Sequence, residues 1–155
     1  MLLSDAFRSL GEDRFAKLLR SVSFGKLKTF QLYERFKLRT HIEKLNTENL
    51  RKATPRLWER LLTHDEEYAT DLSQAVLVSN MELIVAVLNF LKIPNEDGFF
   101  VKDLDATQYL TEGWRERVYQ EFNGRYPEPL VVFYINHLIF ELEKDGQPFQ
   151  IEPHA

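Results

Sequence analysis

The chain contains no cysteine. It therefore cannot form a disulfide, use a thiolate as a nucleophile or bind zinc through sulfur ligands. The absence is typical of a reducing compartment, and the amino end lacks the apolar core of a secretory signal peptide. We therefore expect a cytoplasmic protein.

Glycine and proline are also scarce, with six of each in 155 residues. So few turn residues favour helices joined by short connections over many short strands. The longest apolar runs, Leu83–Leu88 and Leu130–Ile135, are far below the roughly 18 residues that a membrane span requires, so we expect no membrane association. A content of 44% apolar and 28% charged residues predicts one soluble globular domain over residues 1–155.

The motifs of common catalytic sites are missing as well. The sequence contains no G-x-S-x-G, no G-x-x-x-x-G-K-[ST] and no G-x-G-x-x-G. A nucleophile elbow and the known phosphate-cradling loops are therefore unsupported. We predict no catalytic residue and no cofactor, and we favour a protein that is not an enzyme.

Charge is distributed very unevenly along the chain. Residues 1–60 carry fourteen Lys or Arg and seven Asp or Glu, whereas residues 61–155 carry six and seventeen. Opposite charges suit docking to a partner or to a second copy, and an aromatic content of 13% suits a protein interface. The leading hypothesis is a non-catalytic protein-interaction or regulatory domain, whose basic residues 1–60 form a subregion.

The basic segment 14–39 suggests an alternative, because its eight bases and one acid are interleaved with aromatic residues. Lysine and arginine neutralise phosphates, and an exposed ring can stack on a base, so nucleic-acid binding is the second hypothesis. The protein as a whole is acidic, with a pI near 5.6, and this argues against nucleic-acid binding. The basic segment could instead pack against the acidic one. The candidate binding residues for nucleic acid or a partner are Lys26, Lys28, Arg35, Lys37 and Arg39.

Helical patterns dominate the rest of the chain. Capping-box spacings at Ser9, Thr63 and Ser79 predict helix starts, and Pro55 either begins a new helix or lies inside a longer one. Residues 81–92 and 129–143 are apolar on every face, so we expect them at the centre of an all-α domain of about six to eight helices. In residues 26–42 the apolar residues alternate with polar ones, as in a strand, but the composition is that of a helix. Both a strand and a helix therefore remain open for this segment.

Two acidic patterns allow weaker hypotheses. Asp103, Asp105 and Thr107 have the D-x-D-x-T spacing that resembles the nucleophile loop of haloacid-dehalogenase-type phosphatases. The resemblance implies a magnesium-dependent phosphohydrolase on a parallel sheet, which the rest of the sequence does not predict. His137 and Glu141 are a pair at helical spacing that could ligate a metal, although we favour a packed histidine and predict no metal.

Overall fold

The computed structural model describes residues 1–143 and 146–150, and this part of the chain is all-α. It contains nine α-helices, a short 3-10 helix and one two-stranded hairpin, which confirms the predicted fold class. The elements are α1 (Leu3–Arg8), α2 (Glu12–Leu19), α3 (Phe24–Thr29), α4 (Tyr33–Thr40), α5 (Thr47–Leu62), α6 (Glu66–Ser79), α7 (Met81–Phe90), β1 (Asn95–Glu96), β2 (Phe99–Phe100), the 3-10 helix (Ala106–Tyr109), α8 (Trp114–Phe122) and α9 (Glu128–Leu142).

The contacts divide the chain into two compact units. The amino-terminal unit comprises residues 2–80, and the carboxy-terminal unit comprises Met1 and the residues from Met81 onwards. The acidic helix α6 therefore belongs to the same unit as the basic helices. Within 2–80 there are fourteen bases and eleven acids, a net charge of +3.

The amino-terminal unit is organised around α6. This helix packs against α1, α3, α4 and α5, while α2 packs on α5. Tyr68, Leu72 and Val76 of α6 are completely buried, as the spacing of its apolar residues requires. The ring of Phe15 on α2 meets Phe7 at 6.0 Å and Trp58 at 5.2 Å between centroids, which joins α1, α2 and α5 in one aromatic core.

Residues 24–40 form two short helices, so the helical alternative is confirmed and the strand is wrong. α3 ends in a Schellman motif: the N–H of Leu32 donates to the carbonyl of Leu27 at 2.7 Å, and the N–H of Gln31 donates to Lys28 at 3.1 Å. Gln31 occupies the left-handed position with φ of 59°. The chain then turns into α4. Further along, α5 runs unbroken through Pro55, which rules out a new helix at that residue.

The three predicted capping boxes mark helix boundaries but not the residues that cap. The hydroxyl groups of Ser9, Thr63 and Ser79 each donate back to a carbonyl three or four residues earlier, at the end of the preceding helix. The N-cap of α6 is Asp65, whose Oδ1 accepts the N–H of Tyr68 at 3.0 Å. Serine and threonine can bond backward or forward, and here the backward bond forms.

In the carboxy-terminal unit, α9 is buried along most of its length, from Pro129 to Ile139, with His137 half-buried. α8 packs on it through Trp114, Val118 and Phe122. α7 buries one face and leaves Phe90 38% exposed. Across the described residues, no single helix is long and apolar enough to cross a membrane. Only α6 and α7 taken together, across the break at Asn80, reach that length and mean hydropathy.

Candidate functional site

The five predicted binding residues divide into two groups. Arg35 and Arg39, one turn apart on α4, both face Asp71 of α6. Arg35 Nη2 lies 3.0 Å from Asp71 Oδ1, and Arg39 Nε lies 3.2 Å from Asp71 Oδ2. Arg39 is also paired with Glu67. These two arginines are therefore engaged within the amino-terminal unit. Lys26, Lys28 and Lys37 make no ion pair with the described residues, and the first two are exposed.

Asp71 is the reason that the two arginines are held. Its side chain is 3% exposed, and a buried carboxylate without a counter-ion would cost several kcal/mol. Neither of its oxygens has a well-directed hydrogen-bond donor among the described residues, so charge pairing rather than hydrogen bonding stabilises it. At Asp71 the basic segment 14–39 packs against an acidic residue of the same chain, as one of the alternatives from the sequence expected.

Arg60 reinforces the same arrangement from α5. Its guanidinium donates to Asp65 at 2.8 and 3.2 Å, donates to the carbonyl of Arg39 and lies 4.2 Å from the ring centroid of Tyr68. Burial acts to raise the pKa of Asp65, but the hydrogen bonds from Tyr68 and Arg60 outweigh it, so the pKa lies below its usual value. Arg60 thus connects the end of α4 to the start of α6.

An exposed apolar side chain directly follows Lys37 on α4. Leu38 of α4 is 71% exposed, although a leucine is normally buried. One turn earlier, Glu34 lines an open cavity of about 460 Å³ at the α3–α4 turn, together with Lys28, Gln31 and Tyr33. Lys28 Nζ lies 4.9 Å from the centroid of the Tyr33 ring. We name this region the basic surface; it comprises Lys26, Lys28, Tyr33, Lys37 and Leu38.

The carboxy-terminal unit presents a surface of opposite charge. Strands β1 and β2 are antiparallel and are joined by Asp97 and Gly98, whose φ angles of 52° and 94° are those of a tight two-residue turn. The side chain of Asn95 accepts the N–H of Gly98 at 3.0 Å. A Cβ on Gly98 would lie 2.7 Å from Met81 Cε, so the turn is packed closely on α7.

The segment that contains this turn combines exposed acids with exposed apolar groups. Phe99 is 57% exposed and Val101 is 36% exposed. We name residues 95–105 the acidic hairpin. Its one base is Lys102, and its exposed acids are Glu96, Asp97, Asp103 and Asp105. The sequence analysis predicts no hairpin in this part of the chain and therefore missed the element. An Asp-Gly flanked by short extended segments is, however, a recognised hairpin signal.

The structure gives Asp105 a local role. Its Oδ1 accepts the N–H and the hydroxyl of Thr107 at 3.1 and 2.5 Å, which caps the 3-10 helix. The preceding strand belongs to an antiparallel hairpin, and the described residues form no parallel sheet. The spacing that resembles a phosphatase loop therefore lies outside the framework that such a nucleophile requires.

His137 and Glu141 lie together on α9, with His137 Nδ1 3.5 Å from Glu141 Oε2. The imidazole stacks on Tyr134 at 6.3 Å between centroids and also contacts the rings of Phe133 and Phe140. Burial lowers the pKa of His137 to about 4 and raises the pKa of Glu141. No group of three ligand side chains occurs in the described part of the chain, so this pair has no third ligand there.

The chain was compared with known proteins at three levels. It matches no family model, no curated protein and no solved structure. Function is therefore inferred from the geometry and chemistry of its own residues.

Proposed function

We propose that this chain is a non-catalytic interaction domain that self-associates, the basic surface of one copy binding the acidic hairpin of another. The observation that carries the proposal is the exposure of two large apolar side chains on oppositely charged segments: Leu38 next to Lys37 on α4, and Phe99 within a segment that has four exposed carboxylates. The two surfaces carry opposite charges, and each has an exposed apolar side chain that the other can cover. The absence of cysteine supports action in a reducing compartment such as the cytoplasm.

Charge complementarity sets the direction of binding. The basic surface carries three lysines that no described carboxylate neutralises, whereas the acidic hairpin carries four acids and one base. Complementary surface charges accelerate encounter and disfavour contact between like surfaces. Because these charges are exposed, salt screens them over about 10 Å at 0.1 M. Association should therefore weaken as ionic strength rises.

The apolar side chains supply the remaining affinity. Full burial of a leucine or a phenylalanine contributes about 1.5–3 kcal/mol each. The basic surface comprises five residues and the acidic hairpin eleven, whereas a stable interface involves about 20–30 residues on each partner. We therefore expect dissociation constants in the micromolar range, corresponding to about −8 kcal/mol, rather than a permanent complex.

Light scattering over a concentration series tests the proposal directly. The wild-type mass should rise above the monomer mass of 18.4 kDa as concentration increases. Leu38→Asp and Phe99→Asp should each remain monomeric, because each places a charge where an apolar contact forms. Mixed together they should form a complex of two copies, since each variant retains the surface that the other has lost.

A matched control is Leu62→Asp, which introduces the same charge at a leucine that is 49% exposed outside both surfaces. It should associate as the wild type does. A wild-type mass that stays at 18.4 kDa up to about 100 µM, far above the expected micromolar range, would refute self-association. Failure of the two variants to complement each other would refute the assignment of the surfaces.

Nucleic-acid binding remains a second candidate, because Lys26, Lys28 and Lys37 are free to contact phosphates and the Tyr33 ring is half-buried beside them. Arg35 and Arg39 are no longer candidates for phosphate binding, since Asp71 and Glu67 already pair with them. The charge reversal of the three lysines to Glu should abolish salt-sensitive retention of a short RNA or DNA. If the wild type shows no retention at low salt, this candidate is eliminated.

A further inference from the structure

A second cavity lies in the amino-terminal unit, and Leu38 is not among its lining residues. It has a volume of about 460 Å³, within the range of small-molecule sites, and opens to solvent between the segment after α4 and one face of α5. Its lining residues are His41, Ile42, Glu43, Lys44, Asn49, Lys52, Ala53 and Arg56.

The lining is strongly basic. Lys44, Lys52 and Arg56 contribute three cations, and Glu43 is the one acid among the residues that line the cavity. Lys52 and Arg56 are one turn apart, so they project from the same face of α5. Lys52 has a neighbour in Glu48 at 3.6 Å, but both side chains are 67% exposed and such a pair is weak.

The backbone around the cavity supplies further donors. His41 has a left-handed conformation with φ of 55°, and the N–H groups of residues 42–45 donate to no atom in the described part of the chain. Successive unbonded N–H groups beside a left-handed residue attract anions. The segment is also held in place, because Asn49 Nδ2 donates to the carbonyl of Lys44 at 2.8 Å and Ile42 is buried.

The two adjacent helix ends have opposing effects. The amino end of α5, capped by Asn46, carries positive partial charge, whereas the carboxyl end of α4 carries negative partial charge. Each contributes about half an elementary charge, so they nearly cancel. The side-chain cations and free N–H groups therefore determine the sign of the potential in the cavity.

We propose that this cavity binds a small phosphate-bearing molecule. Phosphate groups carry up to two negative charges each and several acceptor oxygens, which match fixed cations and backbone donors better than a single carboxylate does. The ligand would contact Arg56 and Lys52 from α5 and the backbone of residues 42–45. This site is independent of the self-association surfaces.

Inorganic pyrophosphate is a suitable probe, titrated into the full chain at low salt and followed by calorimetry or amide NMR shifts. Saturable binding should shift the amide signals of residues 41–45. Arg56→Glu should weaken it by about tenfold or more, equivalent to about 1.4 kcal/mol, because one charge-assisted contact is replaced by repulsion. Arg56→Gln should weaken it less than Arg56→Glu.

The matched control is Arg51→Glu, which makes the same charge change on an exposed residue of α5 outside the lining. It should change the affinity by less than about twofold, since Arg51 is not part of the lining and its charge acts on the ligand only through screening solvent. Equal losses in the two variants, or no saturation below about 10 mM, would overturn the proposal. Binding of a short RNA without binding of pyrophosphate would overturn it as well and would assign the surface to nucleic acid.

Discussion

Asp71 on α6 holds its carboxylate 3.0 Å from the guanidinium of Arg35 on α4, at a position where 3% of the aspartate side chain is exposed. The arginine is 52% exposed. The pair is therefore asymmetric. The carboxylate of Asp71 has almost no contact with water and is compensated by the arginines, whereas the guanidinium of Arg35 remains partly hydrated.

This asymmetry predicts unequal effects of removing either partner. Replacing Arg35 and Arg39 together with Gln leaves the buried carboxylate unpaired, so the free energy of unfolding should fall by about 3 kcal/mol or more. Asp71→Asn leaves two solvated arginines and should cost about 1 kcal/mol. Urea denaturation measures both. Lys26→Gln with Lys28→Gln removes the same charge from exposed sites and should be nearly neutral; equal losses in the aspartate and arginine variants would contradict this account.

The left-handed turn at Gln31 predicts a stabilising substitution. A side chain at φ of 59° is strained by roughly 1–2 kcal/mol, and glycine removes the strain. Because glycine also increases the entropy of the unfolded chain, Gln31→Gly should raise the unfolding free energy by only about 0.5–1 kcal/mol. Arg51→Gly, in the middle of α5, should lower it by about 1 kcal/mol. Destabilisation by Gln31→Gly would show that the glutamine side chain itself supports the turn.

The acidic hairpin should be sensitive at Gly98. Its φ of 94° strains any L side chain, and an added Cβ would lie 2.7 Å from Met81 Cε and 3.2 Å from Ile84 Cγ2, so Gly98→Ala should cost about 1–3 kcal/mol and weaken self-association. The control Gly25→Ala adds the same atom in α3, where the nearest atom would be 3.9 Å away. That variant should be neutral or stabilising in thermal unfolding. If Gly98→Ala leaves both stability and association unchanged, the hairpin does not pack on α7 as described.

The buried His137 predicts a pH dependence of stability. The unfolded chain binds a proton at this residue near pH 6.5, whereas the folded chain does so only near pH 4. Protonation therefore favours unfolding, and stability should fall as the pH is lowered from about 6.5 to about 4, by up to about 3 kcal/mol. Comparison with His137→Phe isolates the effect, because Glu141, whose raised pKa acts in the opposite direction, is present in both. Parallel stability curves for the two proteins would contradict this prediction, because they would show that His137 binds its proton at the same pH in the folded and unfolded chains.

Much of the helical architecture could be predicted from composition and apolar spacing. The scarcity of glycine and proline and the apolar residues of α9 indicated the fold class, and α9 is buried as expected. The positions of the helix ends were harder to predict. Gln31, His64 and Lys92 each adopt the left-handed position of a Schellman motif that glycine usually fills, so the sequence carried no signal for these ends.

The candidate surfaces were predictable only in part. The basic segment was evident from its charges, but the pairing of Arg35 and Arg39 with Asp71, more than thirty positions away, depends on how α4 packs on α6. Charge counts do not distinguish an arginine with a buried counter-ion from a free lysine. The exposure of Leu38 was also invisible, because an apolar residue in a helix is read by default as core.

The basic surface and the acidic hairpin are different parts of one chain, and this has a consequence for the assembly they would form. A heterologous contact leaves an unused basic surface at one end and an unused hairpin at the other, so copies add head to tail until the ends meet in a ring or the filament stays open. The acidic hairpin of a copy with Leu38→Asp can still bind the basic surface of a neighbour, but its own altered basic surface cannot bind the hairpin of a further copy. Added in small amounts, it should act as a chain terminator and shorten filaments of the wild type.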